Sequence, residues 1–128
     1  ELTYTIPLSA LQKEMVLQLR NIQFDHNSSV LTTSSYAELD KLVKLMQDNP
    51  SMQIELSAHT DDVGSEQYNL RLSQQRGESV RKYLIRKGVD AKRIIAKGYG
   101  KNKPLVPNDS DENRAINRRV EFTINEIE

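Results

Sequence analysis

The sequence predicts an α+β domain, a two-layer sandwich with helices on one face of a mixed β-sheet. Segments in which apolar and polar residues alternate are typical of half-buried strands. These strand-like segments alternate along the chain with two helix-like segments, whose apolar residues recur every three or four positions as in amphipathic helices. Because a strand–helix–strand crossover joins parallel strands, we expect some parallel pairing, while the closing pair can be antiparallel. The predicted order is βαβαββ.

Composition excludes several classes of protein. The chain has 128 residues, enough for a single domain with one modest core. Its 18 basic and 18 acidic residues give no net charge, which disfavours a nucleic-acid partner, because phosphate binding normally requires a basic excess. No cysteine is present, so disulfides and thiolate chemistry are excluded. No apolar run approaches the ~18 residues of a membrane span. The chain starts without Met or a leader, so we expect a mature or excised piece.

The first part of the chain is predicted to be extended. Leu2, Tyr4 and Ile6 alternate with polar residues, and after an ambiguous stretch a strand resumes from Met15 to Phe24. The apolar phase switches between Leu19 and Ile22, which predicts a bulge. We interpret residues 1–20 as a lead-in from an upstream region and residues 21–128 as the domain itself.

The first helix is predicted to follow a polar loop. Ser35 and Glu38 have the spacing of a capping box, in which two side chains satisfy free N–H groups at a helix start. One apolar stripe then consists of Leu39, Leu42, Val43 and Met46. The pair Asn49-Pro50 ends the helix, because the residue before proline avoids the helical conformation. We interpret this helix as purely structural.

The second strand and second helix enclose a polar turn. Residues 52–58 alternate as a half-buried strand and deliver the turn His59-Thr60-Asp61-Asp62-Val63-Gly64. A helix is predicted from about Glu66 to Lys87, ended by Gly88. A third strand from Arg93 to Tyr99 closes in the turn Gly98-Tyr99-Gly100.

A long polar segment precedes the last strand. Residues 101–114 are predicted to be a loop, and its length suggests a functional or mobile segment. The last strand runs from Arg118 to Ile124. Because side chains alternate along a strand, Arg118 shares the inward face with Val120, whereas Arg119 faces the other way.

Arg76 and Asn69 interrupt the apolar side of the second helix. A buried guanidinium without a partner costs about 3–5 kcal/mol, so an anion is expected beside Arg76. In one interpretation Asp61 or Asp62 folds back onto it as an internal salt bridge. In the other, Asp61 and Arg76 lie side by side at an open slot. A carboxylate beside a guanidinium matches the ammonium and carboxylate of an amino-acid zwitterion, with Asn69 adding a donor and an acceptor.

Three other chemistries fit these residues less well. A metal site would use Asp25, His26, His59 and Asp61, but neither helical histidine spacing nor cysteine supports it. A triad of Ser57, His59 and Asp61 would place its members side by side on a strand end, not in a nucleophile–base–orienter line. The adjacent pair Asp61-Asp62 does not straddle a glycosidic bond at the required separation. We expect His59 to donate to the backbone of the turn.

Several motifs, in order, resemble the OmpA-like C-terminal domain family. That family includes peptidoglycan-associated lipoproteins and the periplasmic part of flagellar stator proteins, and the resemblance runs from about residue 21 to 124. The motifs are Asn21-Ile22-Gln23-Phe24-Asp25, Ser35-x-x-Glu38-Leu39-Asp40, His59-Thr60-Asp61-x-x-Gly64, Tyr68-Asn69-x-x-Leu72-Ser73-x-x-Arg76, Gly98-Tyr99-Gly100 and Asn117-Arg118-Arg119-Val120-Glu121. One departure is Gly77, where the family usually has alanine; this glycine costs the helix roughly 0.5–1 kcal/mol.

The resemblance implies a domain that binds peptidoglycan noncovalently, without catalytic activity and without a cofactor. In the family, the residues that match Asp61 and Arg76 hold the diaminopimelate of the stem peptide. The further contacts that it implies are Phe24, Asp25, Asn27, Thr60, Asn69, Leu72 and Arg118. The expected location is the periplasm, attached to the outer membrane through the parent protein. An alternative keeps the fold but makes it a periplasmic protein-interaction module without wall binding.

Overall fold

The chain is built from strands and helices that alternate along the sequence. The structure, a computed structural model, describes residues 11–19, 22–24 and 28–128. Its elements are strand β1 (Val16–Leu19), helix α1 (Tyr36–Asp48), strand β2 (Gln53–His59), helix α2 (Glu66–Arg86), strand β3 (Ile94–Gly100), helix α3 (Asp111–Asn117) and strand β4 (Arg119–Glu126). Single 3₁₀ turns at Thr33–Ser35 and Ala91–Arg93 precede α1 and β3.

The described strands form one mixed sheet in the order β1-β4-β2-β3. The crossover through α2 makes β2 and β3 parallel, with Ile54 opposite Ile94. Strand β4 lies between β1 and β2 and is antiparallel to both, with Phe122 opposite Leu17 on one side and Leu56 on the other. The predicted fold class is therefore confirmed. Strand β4 thus pairs with β1 and β2 and not with its predecessor β3, so the last two strands are not neighbours.

One hydrophobic core lies between the sheet and the first two helices. Alternate residues of β2 and β4, such as Leu56 and Phe122, are fully buried in the same cluster as Leu42 of α1 and Leu84 of α2. This is the pattern that the period of two in the strands and of 3.6 in the helices predicts. Among the described residues, no helix combines the length and the apolar character needed to cross a membrane.

Helix α2 matches its prediction closely and packs tightly on β3. The Ser65 Oγ caps its start by accepting from the Tyr68 N–H at 3.0 Å, and Gly88, with φ of +107°, follows its end. At Gly98 a Cβ atom would lie 2.2 Å from the backbone nitrogen of Gln74, so only glycine lets the helix approach there. The predicted Gly98-Tyr99-Gly100 turn is wrong, because these residues belong to β3 and serve this close approach.

The segment predicted as a loop contains helix α3. Ser110 caps it, since its Oγ accepts from the Asn113 N–H at 3.1 Å. The described elements therefore alternate as βαβαβαβ, one helix more than predicted. Seven residues are too few to show an apolar period, so the sequence pattern of this helix resembles that of a loop.

Ser35 does not form the predicted capping box. It has no capping hydrogen bond; its Oγ instead accepts from the Gln23 N–H at 2.7 Å and donates to the Gln23 carbonyl at 3.2 Å. This buried hydroxyl fastens the segment before Phe24 to the start of α1. Within the predicted Met15–Phe24 strand, the described residues form a regular strand only in β1. Residues 20–21, where a bulge is expected, and residues 2–6, where alternation is expected, lie outside the described residues.

Candidate functional site

The turn between β2 and α2 is held rigidly although it is a loop. The Thr60 N–H donates to the Gly100 carbonyl at 2.9 Å, and the Thr60 hydroxyl donates to the Asp61 carbonyl at 2.9 Å. From α2, the Asn69 side-chain amide donates to the Val63 carbonyl at 2.9 Å. These bonds link the turn to β3 and to α2, so they fix the position of the Asp61 side chain.

The Asp61 carboxylate is largely buried and paired with Arg118. Its Oδ2 lies 2.5 Å from Arg118 Nη1, and its Oδ1 accepts from the Val63 N–H at 3.0 Å. The Asp61 side chain is 12% exposed, whereas that of Arg118 is 49% exposed. The carboxylate is therefore fixed in the pocket wall, while its guanidinium partner reaches it from the solvent side.

Arg76 is fixed by contacts with the segment before α1. Its Nε donates to the Ser28 carbonyl at 2.9 Å, and its guanidinium lies 4.8 Å from the centre of the Phe24 ring. Burial lowers the pKa of Arg76, and nearby Arg118 lowers it further, while Tyr68 and Asp61 oppose the shift. The side chain remains a cation at neutral pH because the ordinary value is far above 7.

The predicted internal salt bridge to Arg76 is not formed by either aspartate. Among the described residues, the ion-pair partner of Asp61 is Arg118 and that of Asp62 is Arg114, at 3.1 Å. The interpretation in which Asp61 or Asp62 folds back onto Arg76 is therefore wrong. The two charged groups instead line one open pocket.

Two adjoining pockets meet at Arg76 and Arg118. The turn pocket, of about 310 Å³, is lined by Thr60, Asp61, Asn69, Leu72, Arg76 and Arg118, with two neighbours from the turn and α2. The strand-end cavity, of about 710 Å³, is lined by Phe24, His59, Arg76, Ala115, Arg118 and Arg119, among others. Every predicted site residue that the structure describes lines one or both of these pockets. Asp25 and Asn27 lie outside the described residues.

His59 occupies the other face of the sheet, and the prediction that it donates to the turn backbone is wrong. Its ring stacks on Tyr99 at 5.2 Å between centroids. Its Nε2 lies 3.6 Å from Glu121 Oε1, just beyond hydrogen-bond distance, and neither ring nitrogen has a hydrogen-bond partner among the described residues. His59 and Arg119, whose Nε donates to Glu121 at 2.9 Å, lower the pKa of Glu121 to about 2, against the opposing effect of burial.

The strand parity of the two consecutive arginines is confirmed. Arg119 pairs with Glu121 on the face of His59, while Arg118 reaches Asp61 on the side of the turn pocket. Which of them contacts a ligand remains a prediction.

The described residues do not form the alternative catalytic or metal-binding arrangements. The Ser57 hydroxyl donates to Glu55 at 3.1 Å and not to His59, so no Ser–His–Asp line exists. In the part of the chain that the structure describes, no group of three or more His, Asp or Glu side chains is placed to hold a metal ion. Two of the suggested metal ligands, Asp25 and His26, lie outside that part.

Helix α3 contributes to the site and was missed from the sequence. Arg114 contacts Asp62 of the turn and also donates to the Asn108 carbonyl at 3.2 Å, and Ala115 lines the strand-end cavity. A helix start is indicated in the sequence by Ser110-Asp111-Glu112, a capping serine followed by acidic residues. Acidic side chains favour the positive end of the helix dipole.

Comparison with known proteins identifies the class to which this fold and site belong. The model of the OmpA family matches residues 23–118, and the chain therefore belongs to the OmpA family. It is 38% identical over 104 residues to outer membrane porin F of Pseudomonas fluorescens, covering 81% of this chain and 32% of that protein. It is 34% identical over 104 residues to the peptidoglycan-binding protein ArfA of Mycobacterium tuberculosis, again covering 81% and 32%. The chain thus spans about a third of the length of these relatives.

A solved structure shares the fold along most of its length. The peptidoglycan-associated lipoprotein of Burkholderia pseudomallei superposes with a TM-score of 0.74 at 30% identity, covering 80% of this chain and 87% of that structure.

Proposed function

We propose that this domain binds peptidoglycan noncovalently and anchors the protein that carries it to the cell wall. Membership in the OmpA family supports this, as does similarity to ArfA, a peptidoglycan-binding protein by name, and to a peptidoglycan-associated lipoprotein. The observation in this chain that carries the proposal is the turn pocket, where Asp61 and Arg76 line one open space without being paired to each other.

The proposed ligand group is the zwitterionic end of diaminopimelate in a stem peptide. The carboxylate of Asp61 is positioned for an ammonium group, and the guanidinium of Arg76 for a carboxylate. Both are held from behind, Asp61 by the Val63 N–H and Arg76 by the Ser28 carbonyl and the Phe24 ring. Such preorganisation lowers the entropic cost of binding.

The remaining predicted residues have supporting roles in this proposal. Thr60 and Asn69 shape the turn through the bonds described above, and Leu72 supplies an apolar wall. Phe24 supports Arg76 from the strand-end cavity, and we propose that Asp25 and Asn27 add contacts from the adjacent loop. Arg118 reaches the pocket from the last strand.

The geometry supports binding without chemistry. The acids of the turn, Asp61 and Asp62, are each paired with an arginine, Arg118 and Arg114. The histidine nearest the turn faces the other side of the sheet. We therefore propose a tether and not a hydrolase. We place it in the periplasm, attached to the outer membrane through the parent protein.

Calorimetric titration with two stem peptides tests the proposal. One peptide carries diaminopimelate and the other lysine, which lacks the terminal carboxylate that Arg76 would bind. We expect the diaminopimelate peptide to bind about 10- to 150-fold more tightly, because a charge-assisted contact with a partly buried arginine is worth about 1.5–3 kcal/mol. Equal affinity for both peptides would refute the proposed recognition.

Two variants and a matched control complete the test. Asp61→Ala and Arg76→Ala should each abolish detectable binding while the far-UV circular dichroism spectrum stays native. Arg71→Ala removes an exposed arginine five positions earlier on α2 and should leave the affinity unchanged. If Arg76→Ala unfolds the protein, Arg76 is a structural residue and the proposal loses its main support. Released fragments after incubation with purified sacculi would show hydrolysis instead of tethering.

A further inference from the structure

The two pockets differ in the charges that line them. The turn pocket carries both signs, with Asp61 facing Arg76 and Arg118. The strand-end cavity is lined by Arg76, Arg118 and Arg119, and none of its described lining residues is acidic. A pocket with both signs suits a zwitterion, whereas a concave surface with cations alone attracts an anion.

The arginines of the cavity differ in their freedom to change partner. Arg119 is 8% exposed, and its three nitrogens donate to Glu121, to the Asn117 carbonyl and to the Lys103 carbonyl, at 2.9, 3.3 and 3.0 Å. The Arg118 guanidinium has one described hydrogen-bond partner, Asp61, and half of the side chain is exposed. Arg118 is therefore the cation that can move from one pocket to the other.

Electrostatic repulsion within the cleft favours an added anion. Arg118 lies close enough to Arg76 to lower the pKa of that guanidinium, in addition to the larger effect of burial, and Asp61 opposes the shift. An anion beside Arg118 would relieve this repulsion. A ligand ammonium on Asp61 would increase the repulsion by competing for the same carboxylate.

A buried histidine lines the same cavity. His59 is 5% exposed, and its Nδ1 has no hydrogen-bond partner among the described residues. Most buried polar atoms in folded proteins have a hydrogen-bond partner, so Nδ1 is an atom to which a ligand group could bond. His59 adds a polar ring nitrogen to a cavity whose charged lining residues are cationic.

We propose that the strand-end cavity is a second subsite that binds a further carboxylate of the same ligand, and that Arg118 exchanges Asp61 for this carboxylate when an ammonium group enters the turn pocket. The inference rests on the proposed function. In a stem peptide the residue joined to diaminopimelate is a glutamyl residue linked through its side chain, so its α-carboxylate is free. The exchange keeps these charges paired, because Asp61 passes from Arg118 to the ligand ammonium, while Arg118 takes the glutamyl carboxylate and Arg76 the diaminopimelate carboxylate.

Titration with two peptides that differ only in the glutamyl α-carboxylate tests this subsite. The probes are alanyl-γ-glutamyl-diaminopimelate with a free glutamyl α-carboxylate and the same peptide with that carboxylate amidated. We expect the wild-type protein to bind the amidated peptide about tenfold more weakly, which corresponds to about 1.4 kcal/mol. In Arg118→Gln the two peptides should bind equally, because the cation that distinguishes them is gone.

Further variants separate a binding role of Arg118 from a structural one. Arg118→Lys keeps the charge and should retain a preference for the free carboxylate, which a purely structural role would not produce. Arg71→Gln, which changes an exposed arginine on α2, should keep the full tenfold preference. Equal wild-type affinity for both peptides overturns the second subsite, even if diaminopimelate is still preferred over lysine. Loss of the diaminopimelate preference itself overturns the proposed function as well.

Discussion

Asn117, the last residue of α3, holds residues 105–108 close to the start of β4. Replacing it by alanine tests how much this contact stabilises the fold. The side chain is fully buried. Its Oδ1 accepts from the Leu105 and Val106 N–H groups at 2.8 and 3.2 Å, and its Nδ2 donates to the Val106 carbonyl and to Asn108 Oδ1 at 2.9 and 2.8 Å. The asparagine thus replaces the backbone pairing that this segment lacks.

The expected loss of stability follows from these four contacts. Each hydrogen bond contributes about 1 kcal/mol net, and an unsatisfied buried group costs about 1–3 kcal/mol. Leu105 is exposed, so part of the released backbone can bind water once the segment moves. We therefore expect Asn117→Ala to lower the free energy of unfolding by about 2–3 kcal/mol. Binding of the diaminopimelate peptide should also weaken, since Arg118 follows directly in the chain.

Urea unfolding, followed by circular dichroism, measures this loss. The matched control is Asn113→Ala on the same helix, where the amide donates at 2.8 Å to Asp109 at the exposed surface. Surface changes of this kind stay within about 0.5 kcal/mol. If Asn117→Ala is no more destabilising than the control, the asparagine does not hold this segment and the reasoning is wrong.

Two glycines and one carboxylate give further predictions. Gly98→Ala should destabilise the fold by several kcal/mol, because the added methyl group would lie 2.2 Å from the Gln74 nitrogen. Gly77→Ala should stabilise it by roughly 0.5–1 kcal/mol, since the added carbon meets only ordinary contacts at 3.6 Å and beyond and alanine favours the helix; thermal unfolding of both variants, with opposite shifts, checks this pair. The pKa of Glu121 in the folded protein is about 2, below its ordinary value of 4.5. The ionised carboxylate therefore stabilises the fold above pH 4.5, and this stabilisation is lost as the pH falls toward 2. Urea titrations at several pH values should show at most about 3 kcal/mol of this loss, and Glu121→Gln should remove that part of the pH dependence. A variant with an unchanged profile would contradict the stabilisation of the Glu121 carboxylate by His59 and Arg119.

Local sequence patterns predicted the parts of the fold that local interactions determine. The predicted bounds of helix α2 agree with the structure to within one residue, and Gly88 marks the end of the helix. The opposite faces of Arg118 and Arg119 followed from the period of two in a strand. Asp61 and Arg76 were singled out because each carries a charge where the pattern predicts an apolar or turn residue.

The features that the sequence did not reveal depend on residues far apart in the chain. Helix α3 is short, and Arg114 ties it to Asp62, 52 positions earlier. Ser35 bonds to Gln23 instead of capping its own helix, because the two segments meet only in the folded chain. The same applies to Asp61, whose partner Arg118 lies 57 positions later. Periodicity reports which face a residue occupies and does not identify its partner on that face.

The account depends most on the claim that the turn pocket receives a zwitterion between Asp61 and Arg76. Nuclear magnetic resonance of the ¹⁵N-labelled protein, titrated with the diaminopimelate stem peptide, tests this most directly. We predict saturable shifts of the Arg76 Nε–H signal and of the amides of residues 60–64, and much smaller shifts with the lysine peptide. Binding that leaves these signals unchanged and moves those of another surface would contradict the account.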